Sequence, residues 1–146
     1  MAYASETDLD AKWGAEAVTL AAYDPISESR DETRILAALD AASSIMDGYL
    51  ARRYALPLTA TTGGATLLRN VCCDLAIGQL SNTPGSRNEI VVDAEKRAIQ
   101  FLRDVADAKA AIPLIPAPGA PADVSPNEAV MIADDRTFTR HRMRGL

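Results

Sequence analysis

SRDETRILAALDAASSIMDGYLARRYALPL, residues 29–58, is the segment from which an architecture can be read. It opens on a capping-box pattern, Ser29 followed three residues later by Glu32, which marks a helix start. Behind it, Ile35, Leu36, Leu39, Ala42, Ile45, Met46, Tyr49 and Leu50 recur at steps of three and four. That spacing lays one apolar stripe along a helix of about five turns. The helix is expected to end at Tyr54, because a residue preceding proline, here Leu56 before Pro57, is pushed out of helical backbone geometry.

The same logic extends in both directions. Upstream, Ser5 with Asp8 three residues on predicts a short helix from about residue 6 to Trp13, stopping near Gly14. A second short segment, Glu16 to Ala22, carries Ala17, Val18, Leu20 and Ala21 and is ended by Asp24-Pro25. Downstream, Thr59 to Gly64 reads as a loop. A helix follows from about residue 65 to 81, with Leu67, Leu68, Val71, Cys72, Leu75 and Leu80 on its apolar side. Residues 82–85 form a turn. Ser86 and Glu89 predict a further capping box, and the helix behind it buries Val91, Ala94, Ala98, Phe101, Leu102 and Val105 before ending near Ala110. The expected fold is all-α: a small bundle of three main helices preceded by one or two short ones.

Residues 112–126 contain five prolines and cannot be helical. Beyond them, Ala129 to Ala133 is an apolar run suited to a short strand. From Arg136 to the end there are four arginines (Arg136, Arg140, Arg142, Arg144), one histidine and no acid. The expected organisation is a helical domain over 1–110, a proline-rich spacer over 111–127 and a basic C-terminal docking arm over 128–146. Phe138, Met143 and Leu146 are interleaved with the arginines. A purely solvating tail does not need them, whereas apolar anchors flanked by cations suit an acidic protein groove or a partner's sheet edge, and also a nucleic-acid backbone.

Composition narrows the function. The chain has 146 residues, enough for one domain plus extensions, and a net charge of −5. An acidic chain is not drawn as a whole to nucleic acid, which requires clustered Lys and Arg. Cys72 and Cys73 are adjacent, fit no zinc or redox spacing, and read as buried small apolar side chains. No signal-peptide pattern and no apolar run of membrane-spanning length is seen, so the expectation is a soluble protein made in a reducing compartment. The lone histidine, His141, sits in the arginine run without a positioned partner, so no catalytic role is assigned to it. Asp31, Glu32, Asp40 and Asp47 read as a solvated helix face rather than metal ligands. Thr61 to Ala65 lacks the lysine and glycine spacing of a phosphate loop. No catalytic, metal or cofactor site is expected. Tyr49, Arg52, Arg53 and Tyr54 close the longest helix. They read either as cations complementing the helix dipole, with tyrosines packed alongside, or as subunit-contact residues, since Arg and Tyr are enriched at interfaces.

Several motifs carry a resemblance. The opening MAYASETDL, the pattern Ala38-Leu39-x-x-Ala42-Ser43, then Asp47-Gly48-Tyr49-Leu50, then Arg53-Tyr54-x-Leu56-Pro57-Leu58, the run Asp74-Leu75-Ala76-Ile77 and the ending Arg136-x-Phe138-Thr139-Arg140…Met143-Arg144-Gly145 resemble the Mu-like family of small tailed-phage and prophage proteins, long filed as a domain of unknown function. The chain departs from that pattern at Gly78-Gln79, where the family usually carries a tyrosine. The family is similar to head–tail connector proteins, also called adaptor or head-completion proteins. The resemblance implies a helical-bundle subunit of a homo-oligomeric ring, typically about twelve copies, beneath the portal protein. The ring extends the DNA channel and offers a platform to the next connector, a stopper or tail-completion protein. It implies a virion location at the head–tail joint, with assembly in the host cytoplasm. It also implies a portal-gripping role for the arm, with Arg136, Phe138, Arg140, Arg142, Met143, Arg144 and Leu146 as its docking residues. DNA would pass through without sequence-specific binding. Two other readings stand beside it: a small helical interaction or DNA-binding regulatory module with an arginine-rich arm, which requires a basic recognition helix, and an enzyme, which requires convergent titratable groups.

Overall fold

The computed structural model describes residues 2–25, 28–81 and 88–113. They fall within one compact unit, residues 1–115. Within them the chain forms helices α1 (Glu6–Trp13) and α2 (Ala15–Ala21), a two-residue hairpin of β1 (Tyr23–Asp24) and β2 (Ser29–Arg30), and three long helices, α3 (Glu32–Leu50), α4 (Thr62–Leu80) and α5 (Glu89–Ala106). The expected helical bundle is what the chain adopts. The reading of Ala129 to Ala133 as a strand lies outside the described residues.

The first helix starts as its sequence requires. Ser5 accepts from the Asp8 amide while the Asp8 carboxylate accepts from the Ser5 amide, and Gly14 ends the helix at φ 86°. The start of α3 differs from expectation. Its cap is Asp31, whose carboxylate accepts from the Arg34 amide at 3.0 Å, not Ser29. Ser29 instead pairs with Asp24 in the hairpin, beside the Tyr23–Arg30 pair. The reason is tertiary. The Arg30 guanidinium is held 2.6 Å from Glu6 and 3.0 Å from Asp10 of α1, and the Asp31 amide donates to the Ala22 carbonyl at 3.0 Å. Residues 29–31 are thereby kept extended, and the helix begins only after them.

The other long helices also shift at their ends. α4 begins at Thr62, not 65, because the Thr61 hydroxyl accepts from the Gly64 amide at 3.2 Å and draws both glycines into the first turn. α5 is capped by Asn88, which accepts from the Val91 amide at 2.9 Å; the expected cap, Ser86, lies outside the described residues. α5 ends at Ala106 rather than near Ala110. The Ala108 amide donates to the Val105 carbonyl and the Lys109 amide to the Asp104 carbonyl, with Ala108 at φ 61°. These two bonds and the left-handed residue make a Schellman turn, normally a glycine position. α3 ends at Leu50 and winds on as turns to Tyr54, whose amide donates to the Leu50 carbonyl at 2.9 Å.

α3, α4 and α5 pack on one another, with α1 packed on α3 and α4 and α2 on α1 and α4. Ile35, Met46, Leu50, Leu75, Ile77, Leu80, Leu102 and Val105 are fully buried, joined by Leu9 and Val18 from the short helices. α4 is enclosed almost all round in its second half, where Val71, Cys72, Cys73, Leu75, Ala76, Ile77, Gly78 and Leu80 are buried. A helix apolar on every side belongs in the middle of a bundle. Of the residues expected on the α3 stripe, Leu36 is 56% exposed. The N-terminal segment is fastened along the same path. The Tyr3 hydroxyl donates to Asp47 of α3, Asp8 lies 3.3 Å from Arg69, and Lys12 lies 2.7 Å from both the Asn70 carbonyl and Asp74 of α4.

Candidate functional site

One end of the bundle is built from the end of α3, the beginning of α4 and the residues that follow α5. It contains all four of the expected subunit-contact residues, and most of them are occupied within the chain. The Arg53 guanidinium donates to the Ala110 carbonyl at 2.7 Å and lies 5.3 Å from the centre of the Tyr54 ring. The Tyr54 hydroxyl accepts from the Ile112 amide at 3.4 Å. Arg52 is largely exposed and lies 3.7 Å from Asp107. Tyr49 is half-buried against the core. At this end the two arginines therefore serve groups beyond α5, in addition to standing where α3 ends and its carbonyls face outward.

The segment after the Schellman turn does not leave the body at once. Ile112 is 5% exposed. The Pro113 carbonyl accepts from both the Thr61 amide, at 3.2 Å, and the Thr61 hydroxyl, at 3.0 Å. Gly64 lies directly beneath it: a Cβ there would stand 2.2 Å from the Pro113 oxygen. The N-terminal turn of α4, Thr61 to Gly64, thus holds the chain's own backbone. Sequence reasoning had no signal for this, since Ile112 sits among prolines without a helical or strand period.

The opposite end, where α3 begins, α4 ends and α5 begins, is marked by the Arg34 guanidinium donating to the Leu80 carbonyl at 3.2 Å. Leu36 of α3, at 56%, and Ile90 of α5, at 66%, are exposed there; Leu20 of α2 is 72% exposed, and Leu56, between α3 and α4 at the other end, is 40% exposed. Leu20 and Tyr23 line an open apolar cleft with Ala15, Glu16 and Thr19.

The acids of α3 do not converge. Asp31 caps the helix, Asp40 is exposed, and Asp47 receives the Tyr3 hydroxyl. Among the described residues no three His, Cys, Asp or Glu side chains are grouped to hold a metal. Burial raises the Tyr3 hydroxyl pKa, and its bond to Asp47 raises it further. The Arg30 charge is opposed by burial, but Asp10 and Glu6 outweigh this and hold its pKa above the ordinary value. Asp8 is held low by its bonds from Ser5. Cys72 and Cys73 are free and buried, as expected. Burial raises the Cys72 thiol, against the bond with Ser43, and pushes Cys73 up to about 12. Thiols of that kind are poor nucleophiles, because the thiolate is the reactive form.

Arg136, Phe138, Arg140, Arg142, Met143, Arg144, Leu146 and His141 lie outside the described residues. Among the described residues no helix is long and apolar enough to cross a membrane.

No curated protein matches the chain. The sequence model of one protein family, described as Bacteriophage Mu, Gp36, matches residues 3–132. With the match spanning most of the sequence and nearly all of the helical body, this chain belongs to the Bacteriophage Mu Gp36 family.

Proposed function

We propose that the protein is a structural virion component of a tailed phage, not an enzyme: a head–tail connector that assembles as a ring below the portal and joins head to tail. Membership of a Mu phage family supports a role in a phage particle or an infected cell. The observation that carries the finer reading is the two-ended body. One end holds the chain at Pro113, and the basic, apolar-anchored residues follow it in the sequence. The other leaves Leu36 and Ile90 in solvent, and α2 leaves Leu20. We read these side chains as contact residues, since apolar surface that is contiguous marks protein contact, and a ring needs two different faces that close on one another.

The charge balance supports the same reading. About twelve copies at −5 would carry roughly −60 before screening, which lets DNA slide through a channel without adhering. In this assembly the portal is the partner of Arg136, Phe138, Arg140, Arg142, Met143, Arg144 and Leu146. A stopper or tail-completion protein is the partner on the far side.

The test mixes purified portal rings with the full-length chain and with a truncation after Pro113, which preserves the held residues. The expected result is co-sedimentation of the full-length chain and loss of portal binding by a truncated body that keeps its helical signal. Equal binding by both forms would remove the arm as the docking element. Salt-sensitive binding of duplex DNA by the isolated chain would favour the regulatory-module reading instead.

A further inference from the structure

We propose that Ala110–Pro113 is a strap, clamped by the ends of α3 and α4, that fixes the path of the residues following α5 against the bundle, and that Gly64 is its positioning residue. Three residues at the ends of two helices converge on four consecutive residues. Arg53 donates to the Ala110 carbonyl, Tyr54 accepts from the Ile112 amide, and Thr61 donates twice to the Pro113 carbonyl. Every one of these bonds is to backbone, so the clamp reads the path of the strap rather than its side chains. The one side chain it uses is Ile112, buried at 5% exposure. The Schellman turn at Ala108 delivers the strap to this place.

Gly64 decides whether the clamp can close. Its added Cβ would meet the Pro113 oxygen at 2.2 Å and the Pro113 carbonyl carbon at 3.2 Å. Both are backbone atoms, so no rotamer change relieves the overlap, and the strap must withdraw on the order of an ångström, enough to break Thr61's bonds. Gly63, its neighbour in the same helical turn, has nothing within 4 Å of an added Cβ. Ala is the better helix former at both positions. Gly64→Ala and Gly63→Ala therefore share the helix-propensity effect and differ in the strap.

The experiment uses the full-length protein and needs no partner, so its outcome is separate from that of the connector reading. Two quantities are measured: tryptic cleavage at Lys109–Ala110, the bond that enters the strap, and hydrogen exchange of the Ile112 amide. Wild type and Gly63→Ala should be equally protected. Gly64→Ala should be cleaved and exchanged about tenfold faster or more, as expected for local opening, while its helical circular dichroism is retained. Ile112→Ala, which removes the buried anchor and leaves α4 untouched, should show the same phenotype. Wild-type protection in both Gly64→Ala and Ile112→Ala would overturn the proposal. So would loss of helical structure in both, since the strap would then be inseparable from the core.

Discussion

Ala108 occupies left-handed backbone at φ 61° with an ordinary side chain, which costs roughly 1 kcal/mol relative to glycine. Ala108→Gly should raise stability by about 0.5–1 kcal/mol in urea unfolding, a gain opposite to that expected for Gly inside a helix; a loss would mean that the turn is not formed. The cysteines make a second prediction at this scale. Cys73 is raised from 9.0 to about 12 and Cys72 is raised as well, both by burial. The folded chain therefore keeps protons that the unfolded chain releases. This contribution is fully present below about pH 9 and is lost as the pH climbs from there through about 12. Tyr3 acts in the same direction above its ordinary value of 10.0. Urea midpoints should fall with pH over that window, and Cys73→Ala should flatten the slope. A thiol reagent at pH 8 should label both cysteines only after denaturant is added. That the two were buried was legible from their place in an apolar helix, whereas the raised thiols needed the surrounding helices to be in position.

At the scale of elements, periodicity and cap chemistry located each helix of the described residues, because both act over three or four residues. Helix ends were less legible. Asp31 displaced Ser29 as the α3 cap because Arg30 is drawn to Glu6 and Asp10 of α1, more than 19 positions earlier in the chain. α4 gained a turn because Thr61 reaches the Gly64 amide. The stripe on α3 also overstated its own width. Leu36 and Leu39 fit the same period, yet they are 56% and 5% exposed. Leu39→Ala should cost about 2–5 kcal/mol, as for other buried leucines, and Leu36→Ala within about 0.5 kcal/mol in the monomer. Comparable losses at both positions would place α3 in a different rotation. Asn88→Ala should cost about 1 kcal/mol through its cap, read from the same unfolding curves.

For the whole molecule, the residues that follow α5 matter most. A protein ending after Pro113 should melt with the full-length chain. One ending after Ala106 should melt several degrees lower, because burying an isoleucine side chain is worth about 1.5–3 kcal/mol and a domain of this size shifts by roughly 4–8 °C per kcal/mol or less. Equal melting of the two truncations would show that Ile112 adds nothing to the body. The three long helices, their order and most of their apolar faces could be read from the chain because those signals are local: a cap, a period, a proline. The enclosure of α4, the clamp on Arg30 and the strap over Gly64 could not. Each joins groups far apart in the chain, as Thr61 and Pro113 are, 52 positions apart. No short-range pattern records which distant backbone will lie against a glycine; that follows only once the helices have packed and their ends have been brought together.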